Sequence, residues 1–497
     1  MKIIFLTALA LAMLAGRAAA QSAGDLAHIA AIENGLLPAV VIEGRPLPRQ
    51  TLAARMRATR TPGVSIAFFE NGRIVWTRAY GVADVESGRR VTSDTLFQAA
   101  SISKMLTATA TLRLVQAGKL DLDQDVNASL QGWQVPASAF TASRKVTLRA
   151  LLSHTAGLTV HGFEGYDPGV PLPSVIQILN GKPPANSPAV VSNAAPGAHW
   201  DYSGGGYVIV QLELTQATGE AFPRLMSELV LKPAHMTRST FDQPLPAARK
   251  DEAASGYGPG GRRFPGGGRV FPEMAPAGLW TTPSDLARFA IALQNAYAGA
   301  PGAILSQEMA RMMMTRSLGH WGLGVNLGPP GGPMRFSHAG GNPGFVSDVM
   351  AFTGDARQGV AIMTNSSNEA VMGELLHAVA RAYGWSVMGP REMAAVQLSP
   401  GDLAALVGVY QGPDGDTVTV TVRDGRLYAL APGDLAPEEV ELAPKSATEF
   451  AAVSDDTAIV FTKGLDGDAS KLTIDDVTLT RTAGMAPVTP TQPSWPG

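Results

Sequence analysis

Hydrophobic and polar positions divide the chain into two parts with different periodicity. The apolar run at 64–69 predicts a buried strand, and Asn71-Gly72 after it predicts a two-residue hairpin turn. Beyond residue 400 the pattern changes to strict alternation, as at 417–422, which predicts antiparallel strands with one buried face. The sequence therefore predicts a larger body of mixed structure, followed by a small antiparallel β-domain.

Apolar residues at helical spacing dominate the larger part. They predict one helix that begins at Ser101 and three further helices at 208–217, 286–295 and 371–383. Ser284 is the predicted N-cap of the helix at 286–295. A shorter helix ends near His154, which we expect to brace the turn that follows. Apolar runs at 345–351 and 359–363 predict two further strands of a sheet.

The N-terminus has the pattern of a secretory signal peptide. Lys2 precedes an apolar run that ends at Ala15, and Ala18-Ala19-Ala20 fits a small-residue cleavage site. The run is shorter than the roughly 20 residues that span a bilayer, so we expect cleavage and export to a bacterial periplasm or the cell exterior. The predicted division is a signal peptide at 1–20, a main domain at 21–385, a linker at 386–399, a β-barrel-like domain at 400–483 and a flexible tail at 484–497.

Composition narrows the possible functions. The chain has 497 residues, no cysteine and a formal net charge of −3. Thiol catalysis, disulfides and zinc–thiolate sites are therefore excluded, and no basic run suggests a nucleic-acid surface. The histidines are scattered without an H-E-x-x-H motif, so we predict no metal and no cofactor. The expected partner is a small-molecule substrate, with no nucleic acid and no membrane span, and the oligomeric state stays open.

Ser101 and Lys104 are the first candidates for chemistry. Positions three apart share one face of a helix, so the hydroxyl and the amine would lie together. Serine needs an adjacent base to become a nucleophile, and lysine can be that base when burial lowers its pKa. No acidic residue flanks Lys104, and apolar residues follow it at helical spacing. Taken alone, however, S-x-x-K is equally consistent with a helix start and a surface lysine.

Two later motifs follow the Ser101–Lys104 motif in a characteristic order. Ser101-Ile102-Ser103-Lys104 is followed by Tyr202-Ser203-Gly204 and then by His338-Ala339-Gly340. In order and spacing the chain resembles the penicillin-recognising serine hydrolases, which include class C β-lactamases, DD-peptidases, D-aminopeptidases and related esterases. The resemblance covers roughly residues 50–385. Supporting pieces include the stretches at 151–158, 277–282 and 321–324.

The resemblance implies an α/β (α+β) fold, in which an antiparallel sheet is flanked by helices and accompanied by an all-α subdomain. It also implies that Ser101 becomes acylated, with either Lys104 or Tyr202 as the general base; the sequence does not decide between them. The backbone N–H groups of Ser101 and Gly341 would form the oxyanion hole. His338, Gly340 and Gly204 would contact the substrate.

Two departures from the family pattern affect the expected substrate. Relatives often carry asparagine at the third position of the tyrosine motif, where this chain has Gly204. His338 takes a place where many relatives carry lysine, and we expect it to donate a hydrogen bond to a carboxylate or a hydroxyl. Both changes favour an ester or a D-amino-acid-type peptide or amide as substrate. The long Pro- and Gly-rich stretch at 159–200 is predicted to form a rim or a lid of the site.

Other functions stay open to different degrees. A class C-like β-lactamase is the first alternative, and a non-catalytic protein that binds penicillin or cell-wall peptides is the second. An α/β-hydrolase with a Ser-His-Asp triad requires a G-x-S-x-G elbow, and the sequence contains none. The C-terminal β-domain shows no cluster of candidate catalytic residues, so we expect it to bind a partner or shape the substrate site.

Overall fold

The computed structural model of the chain describes residues 22–413, 415–430, 439–464 and 467–482. The predicted signal peptide at 1–20 and the predicted tail at 484–497 therefore lie outside the described residues. The α-helices are α1 (Ala23–Glu33), α2 (Leu52–Ala58), α3 (Ser103–Gln116), α4 (Leu148–Leu152), α5 (Val175–Leu179), α6 (Gly204–Thr218), α7 (Phe222–Met226), α8 (Met274–Ala277), α9 (Pro283–Ala298), α10 (Gln307–Met313), α11 (Ala370–Ala382) and α12 (Pro400–Ala404).

Strands occur in both parts of the chain. They are β1 (Val40–Ile42), β2 (Gly63–Glu70), β3 (Arg73–Asp84), β4 (Arg89–Arg90), β5 (Phe97–Gln98), β6 (Trp280–Thr281), β7 (Arg335–Asn342), β8 (Phe345–Phe352), β9 (Gly359–Thr364), β10 (Arg391–Met393), β11 (Gly408–Gln411), β12 (Thr417–Arg423), β13 (Arg426–Leu430), β14 (Val440–Pro444), β15 (Glu449–Ala452), β16 (Ala458–Lys463), β17 (Ala469–Ile474) and β18 (Val477–Arg481).

A six-stranded sheet with the order β4-β3-β2-β9-β8-β7 forms the centre of the larger part. All its neighbouring strands are antiparallel. The predicted turn at Asn71-Gly72 joins β2 to β3, and its residues have positive φ values of 51° and 77°, as a type I′ turn requires. β7 is an edge strand, so one side of its backbone is left unpaired by the sheet.

Helices cover both faces of this sheet. On one face α1 and α11 pack against it, with Ile32, Ile66 and Val379 among the buried residues. On the other face α9 lies against β2, β8 and β9, and a larger core extends from there through α3 and α6. The predicted fold class, an antiparallel sheet flanked by helices, is confirmed.

The central helix α3 is buried on nearly all sides, whereas its sequence predicts a single apolar stripe. It is surrounded by α6, α7 and α8, which accounts for the difference. Thr107, Thr109 and Thr111 lie inside the core and donate to backbone carbonyls four residues earlier, at 2.9–3.0 Å. Because these hydroxyls are satisfied within the helix, α3 can cross the core without water.

Helix α9 begins two residues earlier than its predicted N-cap implies. Ser284 is its predicted cap, but Thr282 occupies that position and its Oγ1 accepts from the backbone N–H of Asp285 at 3.1 Å. Pro283 takes the first helical position, where its missing N–H costs nothing. The prediction of Ser284 as N-cap was therefore wrong by two residues.

The strands β11–β18 close into an antiparallel barrel, in which β11 pairs with both β12 and β18. Tyr410, Val420 and Leu472 are among the side chains that fill its interior. The predicted antiparallel β-domain is confirmed. The segment at 386–399, expected to be a linker, includes β10, which pairs in parallel with β1.

Among the residues that the structure describes, no helix has both the length and the hydrophobicity that a bilayer span requires.

Candidate active site

The structure brings Ser101 and Lys104 together. Ser101 is half-buried in a 3-10 turn directly before α3, and the Lys104 Nζ lies 3.0 Å from the Ser101 Oγ. Ala100, just before the serine, has a φ of +47°, a conformation that costs a residue with a Cβ roughly 1–2 kcal/mol. The Ser103 hydroxyl donates to the Ala100 carbonyl at 2.6 Å and so holds this strained turn.

Lys104 is held in a dry environment. Its side chain is 2% exposed, and its second acceptor is the Pro276 carbonyl of α8 at 3.0 Å. Removal from water disfavours the charged amine, so burial lowers the pKa of Lys104 to about 7. A substantial fraction of the amine is therefore neutral near pH 7 and able to accept a proton from Ser101.

Tyr202 lies on the other side of the pair, immediately before the N-cap of α6. The Lys104 Nζ is 4.9 Å from the centre of its ring. Burial raises the pKa of Tyr202, and a hydrogen bond with Ser101 opposes this rise without cancelling it. The phenol is therefore protonated near neutral pH, whereas a general base must be unprotonated.

His154 packs against Tyr202 and the N-cap of α6. Its ring stacks on the Tyr202 ring with centroids 4.2 Å apart, and its Nδ1 accepts from the backbone N–H of Ser203 at 3.2 Å. Because Nδ1 accepts, that nitrogen carries no proton. Burial, followed by the nearby Lys104, lowers the pKa of His154 well below its ordinary value, so the ring stays neutral.

His338 faces the site from β7 in a neutral form. It is 3% exposed, and burial, followed by the neighbouring Lys104, lowers its pKa to about 3. Nδ1 lies 2.6 Å from the Ala339 carbonyl, which can only accept, so Nδ1 carries the proton. Nε2 is then an acceptor, and it has no hydrogen-bond partner among the described residues. His338 is thus poised to accept a hydrogen bond, whereas the sequence predicts a donor.

We call the 3-10 turn at Ala100–Ile102, which contains the candidate nucleophile Ser101, the nucleophile turn. Gly340 allows β7 to approach it. A Cβ at this position would lie 2.2 Å from the Ala99 carbonyl oxygen and 3.1 Å from the Ser101 nitrogen. The Ser347 hydroxyl also donates to the Ala99 carbonyl at 2.9 Å, which fixes the turn against the sheet. The next residue, Gly341, pairs with Val346 of β8. Its expected share in an oxyanion hole stays a prediction.

Gly204 is enclosed by the loop that begins at Thr159. A Cβ at Gly204 would lie 2.9 Å from the His161 carbonyl oxygen and 3.1 Å from the Phe163 ring. The Gly204 N–H donates to that same carbonyl at 3.0 Å. The volume that an asparagine side chain would occupy is therefore filled by loop backbone and an aromatic ring. No pattern in the sequence predicted that Phe163 would lie beside the site.

Aromatic side chains form one side of the site. Trp200 stacks on Trp321 with centroids 5.8 Å apart and an interplanar angle of 19°. Trp321 also lies 5.8 Å from the Tyr202 ring and 5.2 Å from the His338 ring. We call Trp200, Tyr202 and Trp321 the aromatic wall. Trp200 is 37% exposed, so the wall extends from the catalytic groups to solvent.

We predict that Gly204→Asn lowers the free energy of unfolding by about 1–3 kcal/mol, because the new side chain overlaps the His161 backbone and the Phe163 ring. Denaturant unfolding measures this change. Gly162→Asn is the matched control, since Gly162 is exposed and a Cβ there meets nothing within 4 Å. Equal stability of the two variants would contradict the prediction.

Known proteins share the sequence pattern of this chain. The sequence model of the family described as Beta-lactamase matches residues 48–384. The chain is 29% identical over 384 residues to esterase EstB from Burkholderia gladioli, covering 66% of this chain and 94% of that protein.

Two solved structures share the fold at lower sequence identity. The octameric penicillin-binding protein homologue from Pyrococcus abyssi has a TM-score of 0.58 and 22% identity, covering 86% of this chain and 98% of that one. The D-amino acid amidase from Ochrobactrum anthropi SV3 has a TM-score of 0.53 and 21% identity, covering 67% of this chain and 97% of that one. Since the family match covers well over half of the sequence, the chain belongs to the β-lactamase family of serine hydrolases.

Proposed function

We propose that this chain hydrolyses carboxylic esters through an acyl-enzyme on Ser101, with Lys104 as the general base. The observation that carries the proposal is the 3.0 Å contact between the Lys104 Nζ and the Ser101 Oγ in a water-poor site. A neutral amine at that distance can take the hydroxyl proton directly.

Acylation forms one bond and breaks one. The Ser101 Oγ attacks the ester carbonyl while its proton passes to Lys104, and the carbonyl oxygen becomes an oxyanion. Collapse of this intermediate expels the alcohol, which takes up a proton from the Lys104–Tyr202 pair. The acyl group is then an ester of Ser101. In deacylation, water attacks the same carbonyl and gives one proton to the pair. The bond between the carbonyl carbon and the Ser101 Oγ then breaks, and the pair returns that proton to the Oγ as the acid leaves.

The oxyanion is assigned to the N–H groups of Ser101 and Gly341. Support for this comes from the close approach of β7 to the nucleophile turn, which Gly340 makes possible. Each such donor typically lowers a barrier by about 2.7–4 kcal/mol. We assign donation of a proton to the leaving group to the protonated Tyr202, which is hydrogen-bonded to Ser101 and has its ring centre 4.9 Å from the Lys104 Nζ.

Three features favour esters over β-lactams. His338 is neutral and offers no charge to the carboxylate of a β-lactam. The Phe163 ring and the His161 carbonyl occupy the space that the asparagine side chain of many relatives would fill at position 204, so no side-chain amide is available there to an amide substrate. The aromatic wall presents apolar surface to the acyl or alcohol group. Similarity to an esterase over nearly that protein's whole length agrees with this preference.

A substrate panel tests the proposal. Purified protein is incubated with a short-chain nitrophenyl ester, a chromogenic cephalosporin and D-phenylalanine amide, and intact-mass spectrometry follows the acylation of Ser101. We expect turnover of the ester with slow or absent hydrolysis of the cephalosporin. Fast cephalosporin hydrolysis would overturn the ester preference, and turnover of the amide alone would make the chain an amidase.

We further propose that the protein is exported, with cleavage before Gln21. The support is the charge, apolar run and small residues of positions 1–20 in the sequence. The same intact-mass measurement on protein made in a bacterial host shows whether these positions have been removed.

A further inference from the structure

Asn342 is the last residue of β7 and directly follows Gly341, which we assigned to the oxyanion hole. A two-residue turn separates Asn342 from its partner Phe345, so this pair exchanges the ladder hydrogen bonds. Gly341 lies in the next, non-hydrogen-bonded pair, and its N–H therefore points away from β8 to the open edge of the sheet. The position of this N–H depends on how the end of β7 is held.

The side-chain amide of Asn342 is buried and makes two hydrogen bonds. The residue is 6% exposed, and its Nδ2 donates to the Gln98 Oε1 at 2.8 Å and to the Ala277 carbonyl at 3.3 Å. The Gln98 Nε2 in turn donates to the Arg269 carbonyl at 2.8 Å. Because the backbone carbonyls of Ala277 and Arg269 can only accept, they fix the orientation of both amides.

Gln98 connects this amide to the nucleophile turn. It is a buried residue of β5 and lies three positions before Ser101. Ala99, which follows it, donates its N–H to the Leu279 carbonyl at 2.9 Å. A displacement of Gln98 is therefore transmitted to the turn that carries the candidate nucleophile.

The Ala277 carbonyl connects the same amide to α8, a helix of only four residues. The last carbonyls of a helix have no acceptor role within it and need donors from elsewhere. In α8 the Pro276 carbonyl accepts from the Lys104 Nζ at 3.0 Å, and the Ala275 carbonyl accepts from the Thr107 Oγ1 at 3.1 Å. Three consecutive carbonyls of α8 thus accept from side chains, and the Lys104 amine and the amide of β7 share this helix end.

We propose that Asn342 is a positioning residue for the candidate site, whose amide fixes the end of β7 against both β5 and α8. The inference rests on the proposed function, because the place of the Gly341 N–H matters only if an oxyanion forms there. Asn342 does not itself contact the reacting atoms. Its loss should lower kcat more than it raises KM, since the oxyanion exists in the transition state and not in the bound ester.

Asn342→Ala tests the proposal in the full chain. We expect kcat for the nitrophenyl ester to fall by about 10–100-fold, with KM changed by about twofold or less, because the oxyanion donor is displaced rather than removed. Butylboronic acid provides a second measurement. The Ser101 Oγ adds to its boron, the proton passes to Lys104, and the tetrahedral boron carries the negative charge. Its affinity should fall by the same factor as kcat/KM.

Asn365→Ala is the matched control. Asn365 is fully buried, and its Nδ2 donates to the carbonyls of Val82, Ala83 and Ser255 at 3.0–3.3 Å, none of which belongs to the candidate site. Denaturant unfolding should show a loss of stability in this variant too, because a buried amide is removed from its acceptors. Its kcat and boronic acid affinity, both expressed per folded molecule, should equal those of the parent.

Gln98→Met removes the same contact from the other side at similar volume, and it replaces Asn342→Ala in the test if the alanine variant does not fold. We expect a loss of kcat and of boronic acid affinity in the same direction. Parent-like values in the Asn342 or Gln98 variant, a change confined to KM, or an equal kcat loss in Asn365→Ala would overturn the inference. A parent chain that neither turns over the ester nor binds the boronic acid would instead overturn the proposed function, and the inference with it.

Discussion

Ser101→Ala is expected to lower kcat for the nitrophenyl ester by at least about 10⁴-fold, because the covalent route through the Ser101 Oγ no longer exists. The fold should survive, since the side chain is only half-buried and Lys104 keeps its hydrogen bond to the Pro276 carbonyl. Steady-state kinetics measure the loss. Intact-mass spectrometry should show no acyl adduct on the variant.

Ser143→Ala provides the matched control for this variant. Ser143 is exposed and makes no hydrogen bond within the described residues, so its removal should leave kcat unchanged. Ester turnover by Ser101→Ala at the parent rate would show that Ser101 is not the nucleophile, even if the protein remained an esterase.

Lys104→Met is expected to lower kcat by about 10²–10⁴-fold, the usual contribution of a general base. Methionine fills a similar volume without the amine. Lys119→Met is the control, because Lys119 is exposed just beyond the end of the same helix. A parent-like kcat for Lys104→Met would transfer the role of base to Tyr202.

The pH dependence of kcat/KM provides a second test of Lys104 as the general base. The neutral amine is the active form, and the pKa of Lys104 is lowered from 10.5 to about 7. In the parent, kcat/KM should therefore rise as the pH increases through about 7 and level off above it. His338, with a pKa of about 3, does not titrate in this range. The rise should disappear in Lys104→Met and persist in Lys119→Met.

In Lys104→Met the stability should rise although the activity falls. Between pH 7 and 10.5 the unfolded chain holds the Lys104 proton more tightly than the folded chain does, so folding is penalised. The penalty is absent above pH 10.5, grows as the pH falls, and is constant below about 7. At pH 7 it is on the order of a few kcal/mol. Lys104→Met should therefore raise the melting temperature at pH 7, and a lowered one would contradict the assigned burial.

Local patterns predicted the parts of the fold and site that depend on neighbours in sequence. The turn at Asn71-Gly72 follows from two residues that tolerate positive φ, and it is present. The proximity of Ser101 and Lys104 follows from helical spacing, and it is also present. In both cases the interacting residues are at most three positions apart.

The remaining features depend on contacts between distant segments. The Pro276 carbonyl that accepts from Lys104 is a backbone group, and nothing in a sequence marks it. The packing of Phe163 on Gly204 and the stack of Trp200 on Trp321 arise from loops, whose paths hydrophobic periodicity does not encode. The strand β10 was missed because its three residues show no alternation and their partner, β1, lies near the other end of the chain.

The strand order of the central sheet has a consequence for synthesis on the ribosome. β2 pairs with β9, and about 290 residues separate the end of one from the start of the other. At typical elongation rates of ~5–20 residues per second, the β2–β3 hairpin waits about 15–60 s for this partner. Gly340 is also synthesised long after Ser101, so the nucleophile turn cannot pack against β7 during this interval. The complete candidate site, with the Pro276 carbonyl and β7, is therefore assembled late, when most of the chain has already been made.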